Sequence, residues 1–297
     1  MKRAIVIDGN SLVYRMFYAT YSLAEYSIQH NQQPVNALKL MIDTIFRLLK
    51  NNYSYCLVAF DYGKKTLRHD VYKEYKSGRK KMPDSLVTQI PLIKEAMEYL
   101  GLNVMSQEGI EADDLIGSFS KLMSDNKIPV DIYSSDKDML QLVNEYVNVN
   151  LLKTGISDIV VHTLSNFANL NYGLLPSQIV DFKGIVGDSS DNLQGVKGIG
   201  LKTCIKLLEK YQNLENIYLN LDDLSEVNKN KFLNSKDNAF LCKQLATIDS
   251  TLFNEKSIEE FKFKTVDLNS LKAMIKKYHI NGLDKYFPNH EEQMKLF

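Results

Sequence analysis

Three short apolar segments that each lead into an aspartate constrain the fold of this chain more than any other feature. The segments are AIVI (4–7), which precedes Asp8, YCLVAF (55–60), which precedes Asp61, and VDIY (130–133), which is separated from Asp136 by two residues. Runs of this length that are rich in β-branched and aromatic residues indicate strands buried in a sheet. The sequence therefore predicts at least three core strands, each ending at a carboxylate.

Segments with helical periodicity lie between these strands, at residues 35–50, 86–100 and 111–124. Strands that alternate with helices predict a parallel α/β sheet. Beyond about residue 175 the strand signals fade, and glycines introduce a helical second half. We therefore predict an α/β core over 1–175, a helical region over 176–287 and a mobile polar tail over 288–297.

The aspartates at the strand ends are the first candidate site. In an open parallel sheet, Asp8, Asp61 and Asp136 would share the carboxyl-terminal edge, where such folds bind ligands. One aspartate alone is more simply explained as a helix N-cap or turn residue. Three in equivalent positions favour a functional site over three separate caps.

Further acids follow in motifs that are also compatible with capping or with an Asx-rich turn. They are Glu111, Asp113, Asp114, Asp138, Asp188 and Asp191. Carboxylates gathered at one sheet edge would repel each other unless cations lay among them. Oxygen ligands without nearby His or Cys select Mg²⁺ or Mn²⁺ rather than zinc. The set is typical of two-metal phosphoryl chemistry, in which one ion activates water and another stabilises the leaving oxygen.

Positive charge is concentrated just after Asp61, although the whole chain holds 36 basic and 36 acidic residues. Residues 62–81 contain eight basic and two acidic residues, with tyrosines interleaved. Such a segment can neutralise phosphates and stack bases, and its alternative is a solvated basic helix face. Its position beside Asp61 favours a nucleic-acid contact.

A glycine-rich turn provides a second candidate contact with a phosphate backbone. GVKGIG (195–200) precedes a predicted helix over 201–211, and Lys202, Lys206 and Lys210 form a basic stripe on it. Glycines allow backbone amides to approach a phosphate at a helix start, although a plain helix–helix turn explains them too. Turn and stripe together predict binding to duplex backbone without sequence readout.

These motifs, taken in order, resemble the 5′-nuclease domain of bacterial DNA polymerase I and, more distantly, the flap endonucleases. The resemblance covers roughly residues 1–285. Its most specific motifs are DGNSLVYR from Asp8, FD at 60–61, YKSGR from Tyr75, EADD from Glu111, SDKD from Ser135 and GDSSDNLQGVKGIG from Gly187. It implies a PIN-like parallel-sheet nuclease core with a helical arch near 62–90, followed by a helix-hairpin-helix over 187–211.

The resemblance also implies roles for individual residues. Lys76 and Arg79, at the base of the arch, would steer the scissile phosphodiester, Tyr75 would stack on a displaced base, and Tyr14 and Arg15 would contact substrate. The nine metal ligands would be Asp8, Asp61, Glu111, Asp113, Asp114, Asp136, Asp138, Asp188 and Asp191. Backbone at the hairpin would grip duplex DNA and hold a potassium ion, with contacts from Gly195, Lys197, Gly198, Gly200, Lys202 and Lys206.

The implied activity is that of a stand-alone 5′-3′ exonuclease and 5′-flap endonuclease in primer removal and repair. One alternative is a catalytically weak protein that only recognises DNA junctions, but the complete acidic set argues against it. Another is a ribonuclease on a similar acidic sheet edge, and the GVKGIG hairpin argues against that. The widely separated cysteines (Cys56, Cys204 and Cys242), the absence of a signal-peptide pattern and the absence of a transmembrane-length apolar run predict a cytoplasmic protein.

The end of the tail, QMKLF, resembles the short peptides by which bacterial replication proteins bind the sliding clamp. In that interpretation, Gln293 sets the register, and Leu296 and Phe297 fill apolar pockets. The alternative is a disordered end or a tail folded onto the core.

Overall fold

The computed structural model of the chain describes residues 2–63, 65–154 and 158–287. Its six strands are β1 (Ala4–Asp8), β2 (Tyr55–Ala59), β3 (Val104–Met105), β4 (Val130–Ser134), β5 (Val147–Thr154) and β6 (Asp158–His162). They form one sheet in the order β3-β2-β1-β4-β5-β6. All neighbouring pairs are parallel except β5 and β6. The three predicted core strands are confirmed as its centre, and the prediction missed the other three.

Fourteen α-helices accompany the sheet in the described part of the chain. They are α1 (Gly9–Ala19), α2 (Tyr21–Gln29), α3 (Asn36–Leu49), α4 (Leu67–Val71), α5 (Asp84–Val87), α6 (Ile90–Tyr99), α7 (Ala112–Asp125), α8 (Phe167–Leu170), α9 (Ile179–Val186), α10 (Leu201–Tyr211), α11 (Leu214–Leu219), α12 (Glu226–Asn234), α13 (Lys236–Ala246) and α14 (Leu268–Lys277). Short 3₁₀ turns occur at Lys137–Leu142, Pro176–Gln178, Leu221–Asp223, Ile258–Phe261 and Asp284–Tyr286.

The alternation of side chains along β1 divides the core into two layers. Ile5 and Ile7 face one layer with residues of α1, α3 and α6, whereas Ala4 and Val6 face the other with residues of α7. Because successive strand residues point to opposite faces, one apolar strand serves both layers. The sheet is thus covered on each face, as the alternation of strands and helices predicts.

The helical second half packs in two separate places. A third apolar cluster, drawn from residues between Leu174 and Ala239, contains Cys204, Leu208 and Phe232. Residues from Ile248 onward instead return to the sheet: Phe261 packs edge-on against Phe119 of α7, and α14 joins the layer of α3 and α6. The predicted helical region over 176–287 therefore differs from the structure, in which its last forty residues complete the α/β core.

The predicted arch is folded against the helical half. Over 62–90, the described residues contain the short helices α4 and α5, with turns between them, rather than a long helical arch. The amide of Lys76 donates to the carbonyl oxygen of Asp191 at 3.0 Å. Tyr75 is buried with Leu193 and Cys242. The basic segment therefore joins the two halves of the molecule.

Cys56, Cys204 and Cys242 are buried and free. Among the described residues, no helix is both long and apolar enough to cross a membrane.

Candidate active site

The register of the central strands brings the predicted aspartates to one edge of the sheet. Asp8, the last residue of β1, pairs with Ala59, the last residue of the neighbouring strand β2. Asp61 follows Ala59 by two residues and therefore lies just beyond the same edge. On the other side, Ser134 ends β4, and its hydroxyl donates to Oδ2 of Asp8 at 2.6 Å. Asp136 follows two residues later and caps the 3₁₀ turn. The predicted convergence is present because parallel strands end at the same side.

Asp8 is buried at the centre of this edge, with 4% of its surface exposed. Burial raises the pKa of Asp8 well above its usual range, and the nearby charges of Asp136 and Asp61 raise it further. Hydrogen bonds from Ser134 and from the amide of Ser11 only partly oppose this. The ionised form of this carboxylate is therefore disfavoured.

The pKa values of Asp113 and Asp138 are also raised. Burial raises the pKa of each, and Asp136 adds to the rise in both, although Lys76 opposes the rise in Asp113 and Lys183 opposes it in Asp138. These shifts have the same cause, since like charges in a poorly solvated site disfavour ionisation. A cation among these carboxylates would relieve the repulsion.

Asp138, Asp188 and Asp191 also form a compact group, with one carboxylate oxygen of each within 4.8 Å of the others. Asp188 and Asp191 belong to the loop after α9, and Asp138 to the turn after β4. The group therefore joins the sheet edge to the helical half.

Glu111 begins α7 and binds two cations of the basic segment. Its Oε2 accepts a hydrogen bond from Nζ of Lys76 at 2.8 Å and lies 3.4 Å from Arg68. Burial opposes ionisation of Glu111, but Lys76 and Arg68 outweigh it and lower the pKa. Lys76 is correspondingly held as a cation, because the acids raise its pKa against the effect of burial.

Asp114, a predicted metal ligand, is bound by Arg68 in the structure. Arg68 binds both of its oxygens, at 2.6 and 2.7 Å, and the amide of Asp249 donates to it at 2.9 Å. Arg68 belongs to the segment predicted to meet DNA, yet its side chain is only 14% exposed. This bidentate pair ties the basic segment to α7 and to the chain after α13.

Arg79 and Tyr75 converge on Asp191. Arg79 lies 2.5 Å from Oδ1, and the Tyr75 hydroxyl donates at 3.2 Å to Oδ2 and also to Glu111. Tyr75 is 3% exposed. The prediction that Tyr75 stacks on a displaced base differs from this arrangement, because the ring is covered and the hydroxyl links two acids.

Tyr14 and Arg15 lie beside the cluster on α1. Burial raises the pKa of Tyr14, the adjacent Tyr18 adds to the rise and the charge of Arg79 opposes it. The guanidinium of Arg15 donates to the backbone carbonyl of Lys153. Both residues are partly buried.

Lys183 is the functional candidate that the sequence did not reveal. Its ammonium donates to Asp188 at 2.6 Å and also to Asp138, and it is 14% exposed. Burial opposes the charge of Lys183, but Asp138 and Asp188 outweigh it and raise its pKa, and the same contact lowers the pKa of Asp188 to about 2. Lys183 lies five residues before Asp188, within an apolar helical stretch, so no motif marks it.

The predicted hairpin lies in the turn between α9 and α10. Gly195 packs so closely that an added Cβ would lie 2.4 Å from the backbone of Gly187 and Ile185, whereas Gly198 adopts a φ of +80°. Both positions therefore require glycine. Around them the exposed residues are Lys197, Gly198, Gly200, Lys202 and Lys206, as a backbone contact needs.

Lys231 of α12 places its side-chain ammonium at the hairpin for which a potassium ion was predicted. Its ammonium donates to the carbonyl oxygen of Gly198 at 3.0 Å. A side-chain cation thus already contacts one of the backbone oxygens of this turn.

The donor set fits a hard divalent cation. The carboxylates of Asp8, Asp113 and Asp138 supply oxygen ligands, and no His or Cys joins them among the described residues that could form a metal group. Oxygen-only sets of this kind suit Mg²⁺ or Mn²⁺. The raised pKa values are the physical sign that the site needs positive charge.

Comparison with known proteins identifies relatives over nearly the whole chain. Family models described as the 5′-3′ exonuclease N-terminal resolvase-like domain and C-terminal SAM fold match residues 3–168 and 174–269. A 5′-3′ exonuclease of Mycoplasma genitalium is 43% identical over 288 residues, which cover 97% of this chain and 99% of the relative. DNA polymerase I of Bacillus subtilis is 36% identical over 284 residues, covering 95% of this chain and 32% of the polymerase.

Solved structures share the fold at lower identity. The bacteriophage T5 5′-exonuclease with bound zinc has a TM-score of 0.67 at 21% identity, covering 94% of this chain and 98% of its own. A T5 flap endonuclease complex with DNA and metal ions also has a TM-score of 0.67, at 20% identity, covering 94% of this chain and all of its own. At this identity, the likeness concerns the architecture.

We expect Lys183→Met to destabilise the metal-free protein by about 3–5 kcal/mol, because it leaves Asp138 and Asp188 buried without their cation. Excess Mg²⁺ should restore more stability to the variant than it adds to the unmodified protein, since bound ions take over the neutralisation. Thermal denaturation in chelator and in Mg²⁺ measures both effects.

Lys243→Met is the matched control, because Lys243 also bridges two acids, Asp181 and Glu215, at 2.6 Å each and is 20% exposed. It should destabilise the protein without an added response to Mg²⁺. Equal Mg²⁺ responses in all three proteins would contradict the assigned role of Lys183.

Proposed function

Because the chain belongs to the 5′-3′ exonuclease family, we propose that it hydrolyses DNA phosphodiesters at 5′ ends and at 5′ flaps with bound divalent ions. The observation that carries the proposal is the edge of buried carboxylates bordered by Lys76 and Arg79. Removal of primer-derived 5′ segments during replication and repair is the corresponding task.

We assign the ions to two neighbouring groups of ligands. Asp8, Asp61, Asp113 and Asp136 would serve the sheet edge, and Asp138, Asp188 and Asp191 the loop side, with Glu111 at the border. Bound Mg²⁺ or Mn²⁺ would supply an activated water and stabilise the leaving oxygen. The chain keeps these acids close in spite of their repulsion, which preorganises the site before substrate arrives.

Lys76 and Arg79 would position the scissile phosphate. Both cations are anchored by acids of the cluster, Lys76 by Glu111 and Arg79 by Asp191. Arg79 remains 47% exposed in its side chain, so a phosphate can approach it, whereas Lys76 is 16% exposed. Bound metal ions would neutralise Glu111 and Asp191 and so weaken their hold on Lys76 and Arg79. A substrate phosphate could then bind these two cations in place of the carboxylates.

The two alternatives raised by the sequence fit less well. A protein that merely binds junctions would not need a buried cluster of mutually repelling carboxylates, which reduces the stability of the fold when no ion is present. A ribonuclease on a similar sheet would not need the hairpin, whose exposed lysines lie on a helix separate from the acidic edge.

We expect Asp136→Asn to reduce cleavage of a labelled 5′-flap substrate by at least a hundredfold while binding in chelator stays within about threefold, because the change removes a metal ligand but no phosphate contact. Mapping the products of end-labelled flap, nicked and single-stranded DNA, with Mg²⁺, Mn²⁺ or chelator, measures the effect and tests the proposed function.

The matched control is Asp131→Asn on the same strand, since Asp131 binds Arg3 and Tyr53 at the opposite end of β4. The Asp131→Asn variant should fold and should cleave the flap substrate as the unmodified protein does. Cleavage by Asp136→Asn within a few-fold of the unmodified protein would remove Asp136 from the proposed ligands, and absence of cleavage by the unmodified protein on every substrate would refute the nuclease proposal.

The hairpin would hold the duplex beyond the cleavage site. Lys197, Lys202 and Lys206 are exposed, and the turn between α9 and α10 leaves backbone amides near the start of α10. Since Lys231 supplies a cation at the Gly198 carbonyl, we infer that duplex binding does not require potassium.

Replacing Lys202 and Lys206 together by alanine should weaken binding to nicked duplex and lower the salt slope of log K by up to about 2, one unit for each phosphate that a lysine no longer neutralises. Fluorescence anisotropy across a salt series measures the slope. Binding should be the same in NaCl and KCl at equal ionic strength. An unchanged slope would place these lysines away from the DNA backbone, and stronger binding in KCl would restore the potassium site.

The sequence QMKLF at 293–297 lies outside the described residues, and we retain it as a proposed clamp-binding peptide. Tethering to a sliding clamp would raise the local concentration of the enzyme at a nick. Deletion of 293–297 should abolish binding to the clamp in a direct titration and leave cleavage of free flap DNA unchanged. Equal clamp affinity with and without Gln293, Leu296 and Phe297 would eliminate the proposal.

A further inference from the structure

Three tyrosine rings are stacked in series from the rim of the acidic cluster outward. The rings of Tyr14 and Tyr18 have centroids 6.4 Å apart and planes inclined by 22°. Those of Tyr18 and Tyr21 are 6.1 Å apart and inclined by 23°. We call Tyr14, Tyr18 and Tyr21 the tyrosine ladder. Its rings are nearly parallel, and its inner member lies close enough to the site for the charge of Arg79 to act on it.

A buried ring holds the outer part of the ladder in place. Phe17 is fully buried and meets Tyr18 edge-on at 5.4 Å and Tyr21 edge-on at 5.5 Å. Tyr14 and Tyr18 are also one helical turn apart on α1, so their spacing is set by the backbone. The ladder is therefore a rigid surface whose rings lose little freedom when something stacks on them.

The outer rings are exposed to an unusual degree. Tyr18 is 57% and Tyr21 41% exposed, and of the nine residues of α2 only Ala24 is buried. An exposed aromatic surface that is continuous with a catalytic cleft is more simply explained by a ligand than by the needs of folding.

The charge distribution along the ladder indicates the kind of ligand. Arg79 and Arg15 lie at its inner end, whereas residues 16–38 contain no lysine or arginine. The segment that carries the outer rings therefore supplies no cation of its own for backbone phosphates. The outer rings are therefore suited to contact through flat apolar faces, which unpaired bases provide and duplex DNA does not.

We propose that the tyrosine ladder is a base-stacking subsite for the first unpaired nucleotides of the DNA strand that enters the acidic cluster. The proposal rests on the proposed function and specifies its substrate further: a single-stranded extension is bound by its bases, without sequence preference, because every base offers a flat face. Its contribution to affinity is nearly independent of salt, in contrast to that of the hairpin lysines.

The test uses flap DNA with 2-aminopurine at successive unpaired positions, bound to the full chain carrying Asp136→Asn so that the strand stays intact. Quenching of this base reports stacking. Tyr18→Ala and Tyr21→Ala should each remove quenching and weaken binding of long flaps about fivefold, the lower end for loss of one base–aromatic stack. Tyr21→Phe, which keeps the ring, should retain both.

Tyr26→Ala is the matched control. Tyr26 lies on the same helix and is 57% exposed, but its ring stacks on His30 instead of the ladder. With Tyr26→Ala, the 2-aminopurine quenching and the affinity for flap DNA should equal those of the parent, which is the chain carrying Asp136→Asn alone. Nicked DNA without a flap should bind equally well to all variants, which separates the subsite from the rest of the interface.

Two results would overturn the proposal: no quenching in the parent protein, or long-flap binding that Tyr18→Ala and Tyr21→Ala leave unchanged. A sedimentation shift that Tyr21→Ala abolishes, with flap binding unaffected, would mean that a second copy of the chain occupies the ladder. Failure of the proposed function has a different outcome, since the protein with Asp136 intact would then cleave neither nicked nor flapped DNA at any flap length.

Discussion

Repulsion among buried carboxylates is the constraint on which the rest of the structure depends. Asp8, Asp113 and Asp138 all have raised pKa values because each lies out of water beside other acids. The fold tolerates this arrangement by placing cations of its own at the border, with Lys183 on the loop side and Lys76 at Glu111. The negative charge that these side-chain cations leave unneutralised makes this part of the site suited to divalent ions.

The same ion pairs join the two halves of the molecule. Lys183 of α9 reaches Asp138 of the sheet edge, and Arg79 of the basic segment reaches Asp191 of the loop after α9. The residues that would bind substrate and those that would bind metal are therefore also the residues that hold the halves together. Bound ions would compete with these contacts for the same acids, so ion binding would affect how the two halves are held together.

Much of the fold follows from local sequence. The segments before Asp8, Asp61 and Asp136 form the predicted central strands, because short β-branched runs have few other stable arrangements in a chain that alternates them with helices. The other three strands were not predicted: β3 has only two residues, and β5 and β6 hold polar residues that reduce the strand signal. The return of Phe261 to the sheet depends on a contact with Phe119, far away in the sequence.

What the sequence by itself determined is the set of acids, their positions at strand ends and the glycines that the hairpin requires, since these follow from residue type and spacing. Only the tertiary structure decided which charges meet. It turned Asp114 and Arg68 towards each other, buried Tyr75, and placed Lys183 between acids of two different halves. The physical reason is that ion pairing and burial depend on distances between elements that are remote in the chain, and local patterns carry no information about those distances.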